Sequence, residues 1–461
     1  MEGLTLIDPC TGEPFAEVPA ATAAEVEDAV AGACRARESW SMVPVAERAA
    51  VLRRAADELE ARTAELAEAI TMPLGLPRHL VRATQIASAL TTLRTTADAA
   101  EELAWEERVG NSLVRREPAG VAAAIAPWNY PLMQSVNKVA PALAAGCAVV
   151  LKPSELTPLD SFVLADALAA AGLPGGVLQV VAGTGPEAGE ALAGHPAVDV
   201  VSFTGSTAVG RRVAALAAGN VARSLLELGG KSASILLDDA DVPAAVAHCA
   251  RTVVGNSGQT CTALTRLLVP RSRLAEAEEC AAALVGAARP GHRDDPGADL
   301  GPVISARQRE RVTGHIRRGA AAGARLLTGG PDAPPGLDRG FYVRPTVFGG
   351  VDPGMAIARE EIFGPVLCVI PYEGEEEAVR IADDTPYGLS GAVWSADPER
   401  ALAVARRLRT GQVSVNGGPF NPLAPFGGVK HSGTGREKGR YGIEEFTEYK
   451  AIQLPLTGGG S

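Results

Sequence analysis

Several things are scarce in this chain, and each absence removes a class of function. No two of its seven cysteines form a CxxC pair: Cys10, Cys34, Cys147, Cys249, Cys261, Cys280 and Cys368 are scattered and odd in number. That pattern argues against a disulfide framework and against a cysteine zinc site. The six histidines are equally dispersed, and the adjacent His248 and Cys249 would point apart on a helix, so no metal is expected. Basic charge is short. With 43 Lys and Arg against 54 Asp and Glu, the net charge is −11, which argues against a nucleic-acid partner. An anionic cofactor stays open, because a few amides and one lysine can hold phosphates on an acidic protein.

Long apolar runs are missing too. The longest, 139–151, is interrupted by Pro141 and Gly146 and falls short of the about 20 residues a membrane span needs. Residues 1–9 carry Glu2 and Asp8 and no basic segment, so they do not read as a secretory signal. A reduced, cytoplasmic setting is expected, and it suits a working thiol.

What is present is 461 residues, 46% of them hydrophobic, which predicts a globular protein of two or three domains. Residues 4–7 and 16–18 read as short strands. Thr22, with Glu25 three residues on, caps a first helix. Further helices are expected over 45–70 and 78–102, and 112–118 reads as a polar edge strand. Apolar segments 121–126, 148–152, 177–181, 198–203 and 232–237 then alternate with helical ones, the signature of parallel βαβ units. The theme resumes with strands near 264–269, 366–370, 390–393 and 412–415, and helices near 274–286, 305–322, 375–383 and 398–408. Loops are expected at 329–340 and 416–428, and a disordered tail at 458–460.

The stretch Asn256-Ser257-Gly258-Gln259-Thr260-Cys261-Thr262 sets one cysteine in a small, polar turn between apolar runs. A packing cysteine belongs inside such a run, as Cys249 is; a thiol nucleophile belongs in the turn. Glu227 lies 34 residues earlier, between Leu225-Leu226 and a double glycine. Apolar neighbours can raise a carboxylate's pKa and make it a base. Taken alone, a surface glutamate ending a strand explains it better. Asn129 sits in the proline-stiffened Pro127-Trp128-Asn129-Tyr130-Pro131 and can donate to an oxyanion, or stabilise its own loop as an Asx-turn.

Lys152 and Glu155 close the strand 148–152, where ligands gather in open α/β sheets. Lys152 can meet a phosphate or ribose hydroxyl. Glu155 can accept from ribose hydroxyls and would repel a 2′-phosphate. Gly205 and Ser206 open a helix whose free N–H groups suit a pyrophosphate. The series Gly183, Gly185, Gly189 nearly matches a dinucleotide fingerprint, but its spacing is off by one and it contains Pro186. The cofactor site is not built on that series, and only Gly185 is kept as a cofactor contact.

Seven motifs now stand in one order: Pro-Trp-Asn, Lys-Pro-Ser-Glu, Phe-Thr-Gly-Ser, Glu-Leu-Gly-Gly-Lys, Gly-Gln-x-Cys, Glu-Glu-Ile-Phe-Gly-Pro and Pro-Phe-Gly-Gly-x-Lys-x-Ser-Gly. In these the chain resembles the aldehyde dehydrogenase superfamily over nearly its whole length. The resemblance implies an α/β fold with a Rossmann-like cofactor domain (1–104 and 119–229), an α/β catalytic domain (230–425), and a β oligomerisation extension with a C-terminal tail (105–118 and 426–461). It implies NAD as cofactor, with NADP possible, a small-molecule aldehyde as substrate, and a homodimer or homotetramer.

By the same resemblance Cys261 is the nucleophile, Glu227 the general base, and Asn129 with the Cys261 N–H the oxyanion hole. Lys152 and Glu155 hold the adenosine ribose, Gly205 and Ser206 the pyrophosphate, with Val209 by the adenine. Glu361 and Phe363 position the nicotinamide half, and Ile125, Pro127, Trp128 and Leu228 complete the cofactor set. Met133, Thr260, Thr262 and Phe420 are expected in the substrate pocket. These are mostly apolar and favour an uncharged aldehyde, whereas the tail from 417 to 453 resembles a bacterial branch acting on oxo-acids and semialdehydes.

One departure, Thr71 to Pro77, lacks the acidic residue many relatives carry, which puts helix packing there in question. A CoA-acylating relative, a non-enzymatic scaffold and a thiol hydrolase are the rival readings. Glu227 speaks against the first, the intact Cys261 against the second, and the lack of histidine among the fixed positions of any motif against the third.

Overall fold

The computed structural model describes residues 3–455. Its first elements are a hairpin of Gly3–Asp8 and Glu13–Pro19, then a helix, Ala23–Trp40. Thr22 and Glu25 form the expected reciprocal capping box on that helix. The helix expected over 45–70 is two helices, Val45–Ala61 and Thr63–Leu74. The Thr63 hydroxyl donates to the Glu60 carbonyl at 2.6 Å and so competes with the helix ladder at the break. The stretch 71–77 packs well: the helix ends on left-handed Gly75 (φ 71°), where an added Cβ would lie 2.6 Å from Pro302.

Two doubly wound sheets follow. The first runs, in space, Arg223–Glu227, Val200–Thr204, Val121–Ile125, Ala148–Lys152, Leu178–Val180, all parallel, with Gly433–Thr434 added antiparallel beside Arg223–Glu227. Val121–Ile125 and Ala148–Lys152 are buried at every residue, as strands covered on both faces must be. Strand order reverses between Val121–Ile125 and Val200–Thr204, so the loops leaving those two strands open a crevice at their carboxyl ends.

The second sheet runs Arg325–Thr328, Thr346–Gly349, Val366–Tyr372, Arg266–Pro270, Ala233–Leu236, Ser390–Trp394, Gln412–Val415, parallel except for the first strand. The chain crosses from one sheet to the other in the short link between Glu227 and Ala233. The carboxyl ends of the first sheet therefore face the amino ends of the second.

A third sheet corrects the edge-strand expectation. Ser112–Pro118 is the middle strand, between Glu106–Val109 and Thr447–Gln453. It tolerates charge there because the three-stranded sheet leaves the middle strand only half-buried. Its charges are matched across the strands: Arg115 pairs with Glu106 at 3.3 Å, Lys450 with Glu117, and the Arg116 guanidinium sits 5.1 Å from the Tyr449 ring centre. Among the described residues no helix is long and apolar enough to cross a membrane. The tail expected to be disordered lies outside the described residues.

Candidate active site

The Cys261 loop is held in an unusual backbone. Asn256, Ser257 and Gly258 are consecutively left-handed, with φ of 50°, 57° and 72°. Each of the two non-glycine residues costs about 1–3 kcal/mol there, so neighbours must impose the shape. They do: Ser257 Oγ donates to the Gly301 carbonyl at 2.8 Å, and Asn256 Nδ2 donates to the Asn129 carbonyl at 2.8 Å. A Cβ at Gly258 would stand 2.2 Å from the Gly364 carbonyl carbon, so only glycine lets this loop lie on the turn after Phe363. Phe363 is itself left-handed (φ 59°) and meets Trp128 edge to face, ring centres 5.4 Å apart.

The double glycine of the 227–231 motif serves the same closeness. A Cβ on Gly229 would fall 2.3 Å from Glu361 Oε2, and one on Gly230 would fall 2.5 Å from the Cys261 carbonyl oxygen. The Gly230 N–H donates to Glu361 Oε1 at 2.9 Å, fixing that carboxylate at the cleft wall.

Cys261, Glu227 and Asn129 line one cleft of about 710 Å³ at the meeting of the two sheets. Pro127, Trp128, Gly205, Ser206, Leu228, Glu361 and Phe363 line it too. Ser206 caps the helix Thr207–Ala218 by accepting from the Val209 N–H, and the Gly205 N–H donates to the Glu227 carbonyl at 3.0 Å. Glycine is required at 205, where a Cβ would meet the Phe203 ring at 2.4 Å.

The remaining expected residues lie off this cleft. Ile125 is buried at the end of its strand, in register with Lys152. Lys152 donates to the Pro153 and Gly183 carbonyls at 2.6 and 2.7 Å and pairs with the half-exposed Glu155 at 3.5 Å. Gly185 opens a π turn, Gly185–Gly189, and Val209 is exposed on its helix. Thr260 Oγ1 bonds the Tyr130 hydroxyl at 2.8 Å, while Met133 and Thr262 are half-buried. Phe420 is 56% exposed, its ring centre 6.2 Å from that of Phe426.

Glu227 is no surface residue. It is buried, neither carboxylate oxygen has a hydrogen-bond partner among the described residues, and its pKa is raised well above the ordinary carboxylate range. Burial is the main cause and the Glu437 charge the next, with Lys138 and Arg436 opposing. The Cys261 thiol is pushed up to about 12, first by burial and then by the Glu361, Glu227 and Glu437 charges.

Sequence reading missed the groups that surround these residues. Lys138, buried, donates to Thr204 Oγ1 at 2.6 Å and to Glu437 Oε1 at 2.9 Å, and Asn137 Nδ2 donates to Glu437 Oε2 at 3.0 Å. Glu437 lies 210 residues beyond Glu227 in sequence, and nothing local marks it. Gln134, Gln308 and Arg311 also line the cleft. Gln308 Nε2 donates to the Phe363 carbonyl at 2.7 Å and Arg311 Nη2 to the Glu361 carbonyl at 2.5 Å, so both brace the Glu361–Phe363 turn.

Two doubly wound sheets share a cleft, with a helix N-terminus on one wall and a half-buried thiol on the other, the arrangement expected of an α/β enzyme that uses a nucleotide beside a cysteine. The comparisons make the class specific. The profile of the aldehyde dehydrogenase family matches residues 2–452. The chain is 47% identical to a 3-succinoylsemialdehyde-pyridine dehydrogenase of Pseudomonas sp, over 97% of this chain and 94% of that one. It is 45% identical to a geranial dehydrogenase of Castellaniella defragrans, over 97% and 95%. Among solved structures, an aldehyde dehydrogenase C variant of Pseudomonas syringae complexed with NAD+ and octanal superposes with a TM-score of 0.97 at 46% identity, covering 99% of this chain and 94% of that one. A Mycobacterium tuberculosis aldehyde dehydrogenase complexed with NAD+ gives 0.96 at 44% identity, covering 99% and 95%. The chain belongs to the aldehyde dehydrogenase family and is an oxidoreductase of that class.

Proposed function

We propose that this enzyme oxidises an uncharged, medium-sized aldehyde to its carboxylic acid through a thioester on Cys261 that water hydrolyses. The observation that carries the proposal is the joint presence of Cys261, Asn129 and the buried, unpartnered Glu227 around one cleft.

The cleft fits NAD. The Ser206-capped helix start presents free N–H groups to a pyrophosphate, and the cradle at Gly229 leaves Glu361 room to meet a ribose. Lys152 and Glu155 would hold the adenosine ribose, with Ile125, Pro127, Trp128, Gly185, Val209, Leu228 and Phe363 as further contacts. NAD, when bound, would supply the acceptor for the hydride that leaves the substrate carbon.

The rest is the chain's own chemistry. The Cys261 thiol, protonated at rest, gives its proton to the Glu227 carboxylate or to solvent. The thiolate sulfur adds to the carbonyl carbon, and the oxygen becomes an oxyanion. The Asn129 amide and the Cys261 N–H donate to it. Loss of hydride leaves a thioester. Glu227, whose raised pKa makes its ionised form a stronger base, takes a proton from water as the carboxylate. The water oxygen attacks the thioester carbon, the C–S bond breaks, and the acid and the Cys261 thiolate are released. Glu227 also favours water over CoA as acceptor.

A medium-sized apolar aldehyde is favoured by the expected pocket residues Met133, Thr260, Thr262 and Phe420, none of them cationic, although they lie off the described cleft. Among the described residues, the one cation lining that cleft, Arg311, donates to the Glu361 carbonyl. The octanal and geranial in the relatives' names agree with it. The domain division at 104, 119, 229 and 425, a homodimer or homotetramer built on the three-stranded sheet, and a cytoplasmic setting for seven unbridged cysteines belong to the same proposal. The test is NADH formation from NAD+ and a panel of aldehydes varied in length and distal charge, without CoA. Cys261→Ala should abolish turnover while NAD+ binding persists. No NADH from any aldehyde with reduced, folded protein would sink the reading.

A further inference from the structure

Gln85 belongs to none of the seven motifs. It sits in a π turn, Arg82–Ile86, within the otherwise α-helical run from Arg78 to Glu102, where the Ala87 N–H reaches back to the Arg82 carbonyl. Such turns are rare and recur at functional sites. This one carries Gln85 into full burial, 0% exposed, where its Nε2 donates to the Asn129 carbonyl at 3.3 Å.

That carbonyl already accepts from Asn256 at 2.8 Å, so no unmet acceptor demands a second donor. The other end of the same amide, Oε1, is buried without a partner among the described residues. A buried orphan acceptor costs about 1–3 kcal/mol, and a methionine of similar length would carry none of that penalty. Stability alone selects against glutamine here. What the glutamine adds is a clamp. The Asn129 main chain is held by Gln85 and Asn256, and its Nδ2 donates to the Gln259 carbonyl at 2.9 Å. One N–H of the Asn129 amide is thereby fixed, and the direction of its second N–H is fixed with it.

We propose that Gln85 is a positioning residue that, through the Asn129 carbonyl, aims the Asn129 amide at the oxyanion formed on Cys261. The inference rests on the thiol-adduct reading above. It requires Gln85→Met to be folded and at least as stable as wild type, yet slower at every step that forms an oxyanion.

Four measurements on the full-length protein decide it: thermal unfolding, NAD+ binding, the pre-steady-state NADH burst, and NAD-free cleavage of p-nitrophenyl acetate. In the ester reaction a bond forms between Cys261 sulfur and the acetyl carbon, and p-nitrophenolate leaves with the electron pair. The thiol proton goes to Glu227 or solvent, and water then releases acetate from the thioester. An oxyanion forms in this reaction without any hydride moving.

In Gln85→Met the melting temperature should hold or rise and NAD+ affinity should be unchanged. Burst and ester-acylation constants should both fall roughly tenfold or more. Gln85→Glu, which turns an acceptor towards the Asn129 carbonyl, should do no better. Wild-type rates in Gln85→Met overturn the inference. So does failure of that variant to fold, or a loss of rate matched by losses in melting temperature and NAD+ affinity. If the wild type makes no NADH from any aldehyde, the proposed function fails, and the ester arm still decides the part played by Gln85.

Discussion

Asn129 donates its side-chain amide to the Gln259 carbonyl across 2.9 Å, joining two loops 130 residues apart. One loop leaves a strand of the first sheet and the other leads to Cys261 ahead of a strand of the second. The bond therefore sets an amide beside the thiol only when both sheets are in place. Asn129→Ala removes the bond and the candidate oxyanion donor together. It should lower kcat by about 100- to 1,000-fold, with NAD+ binding little changed. A steady-state comparison with an NAD+ titration checks this, and a loss confined to NAD+ affinity would contradict it.

Glu227 faces a second carboxylate, and that sets the pH dependence. Burial and the Glu437 charge both raise its pKa, and a base must be deprotonated to act. Hydrolysis of the thioester should therefore fail as pH falls through that raised value. Glu437→Gln removes the repulsion while Lys138 and Arg436 keep their pull, so the acid limb of kcat should move to lower pH. Glu227→Gln should give one burst of NADH and then stall at the thioester. An acid limb in Glu437→Gln at the wild-type position would remove Glu227 from that role.

Glu155 and Lys152 share the carboxyl end of the strand Ala148–Lys152, 3.5 Å apart. Lys152 spends two donors on the Pro153 and Gly183 carbonyls and has Glu155 beside its remaining charge. Glu155→Ser removes the anion that would face a 2′-phosphate and leaves the lysine cation unopposed. The NADP-to-NAD ratio of kcat/KM should rise by roughly tenfold or more. An unchanged ratio in both cofactor titrations would refute the assignment.

The residues legible in the sequence share a property: each sits in a short motif that local backbone requirements explain. Gly229, Gly230 and Gly258 are glycines because a carboxylate, a carbonyl and a neighbouring turn come within 2.2–2.5 Å of where a Cβ would be. Parallel strands such as Val121–Ile125 were readable because both faces are buried and the run is continuously apolar. The residues that were not legible depend on distance through the fold. Glu437 reaches Glu227 from the far end of the chain, and Gln85 reaches Asn129 only because a π turn rotates it inward. Ser112–Pro118 looked like an edge because its charges are paired across both neighbours, Arg115 by Glu106 of the adjoining hairpin strand and Glu117 by Lys450 from the far end of the chain. A period-2 or period-3.6 reading carries no information about such contacts.

Asp160 offers a test of the fold itself, away from the cleft. It lies in the first turn of the helix Leu159–Ala170, fully buried, and neither carboxylate oxygen has a side-chain or backbone partner among the described hydrogen bonds. Burial raises its pKa from 3.8 to about 8, opposed only by its own nearby backbone N–H, which makes no well-formed hydrogen bond to it. The folded protein therefore keeps a proton that the unfolded chain releases above about pH 4. Since the native state binds the extra proton, stability falls as pH rises from there through about 8. Asp160→Asn is neutral at every pH and keeps the shape. It should leave stability near wild type at pH 4 and raise it at pH 9, by on the order of a few kcal/mol. Urea unfolding at the two pH values measures the difference. Equal stabilisation at both would mean the carboxylate is paired in the folded protein and the burial argument is wrong.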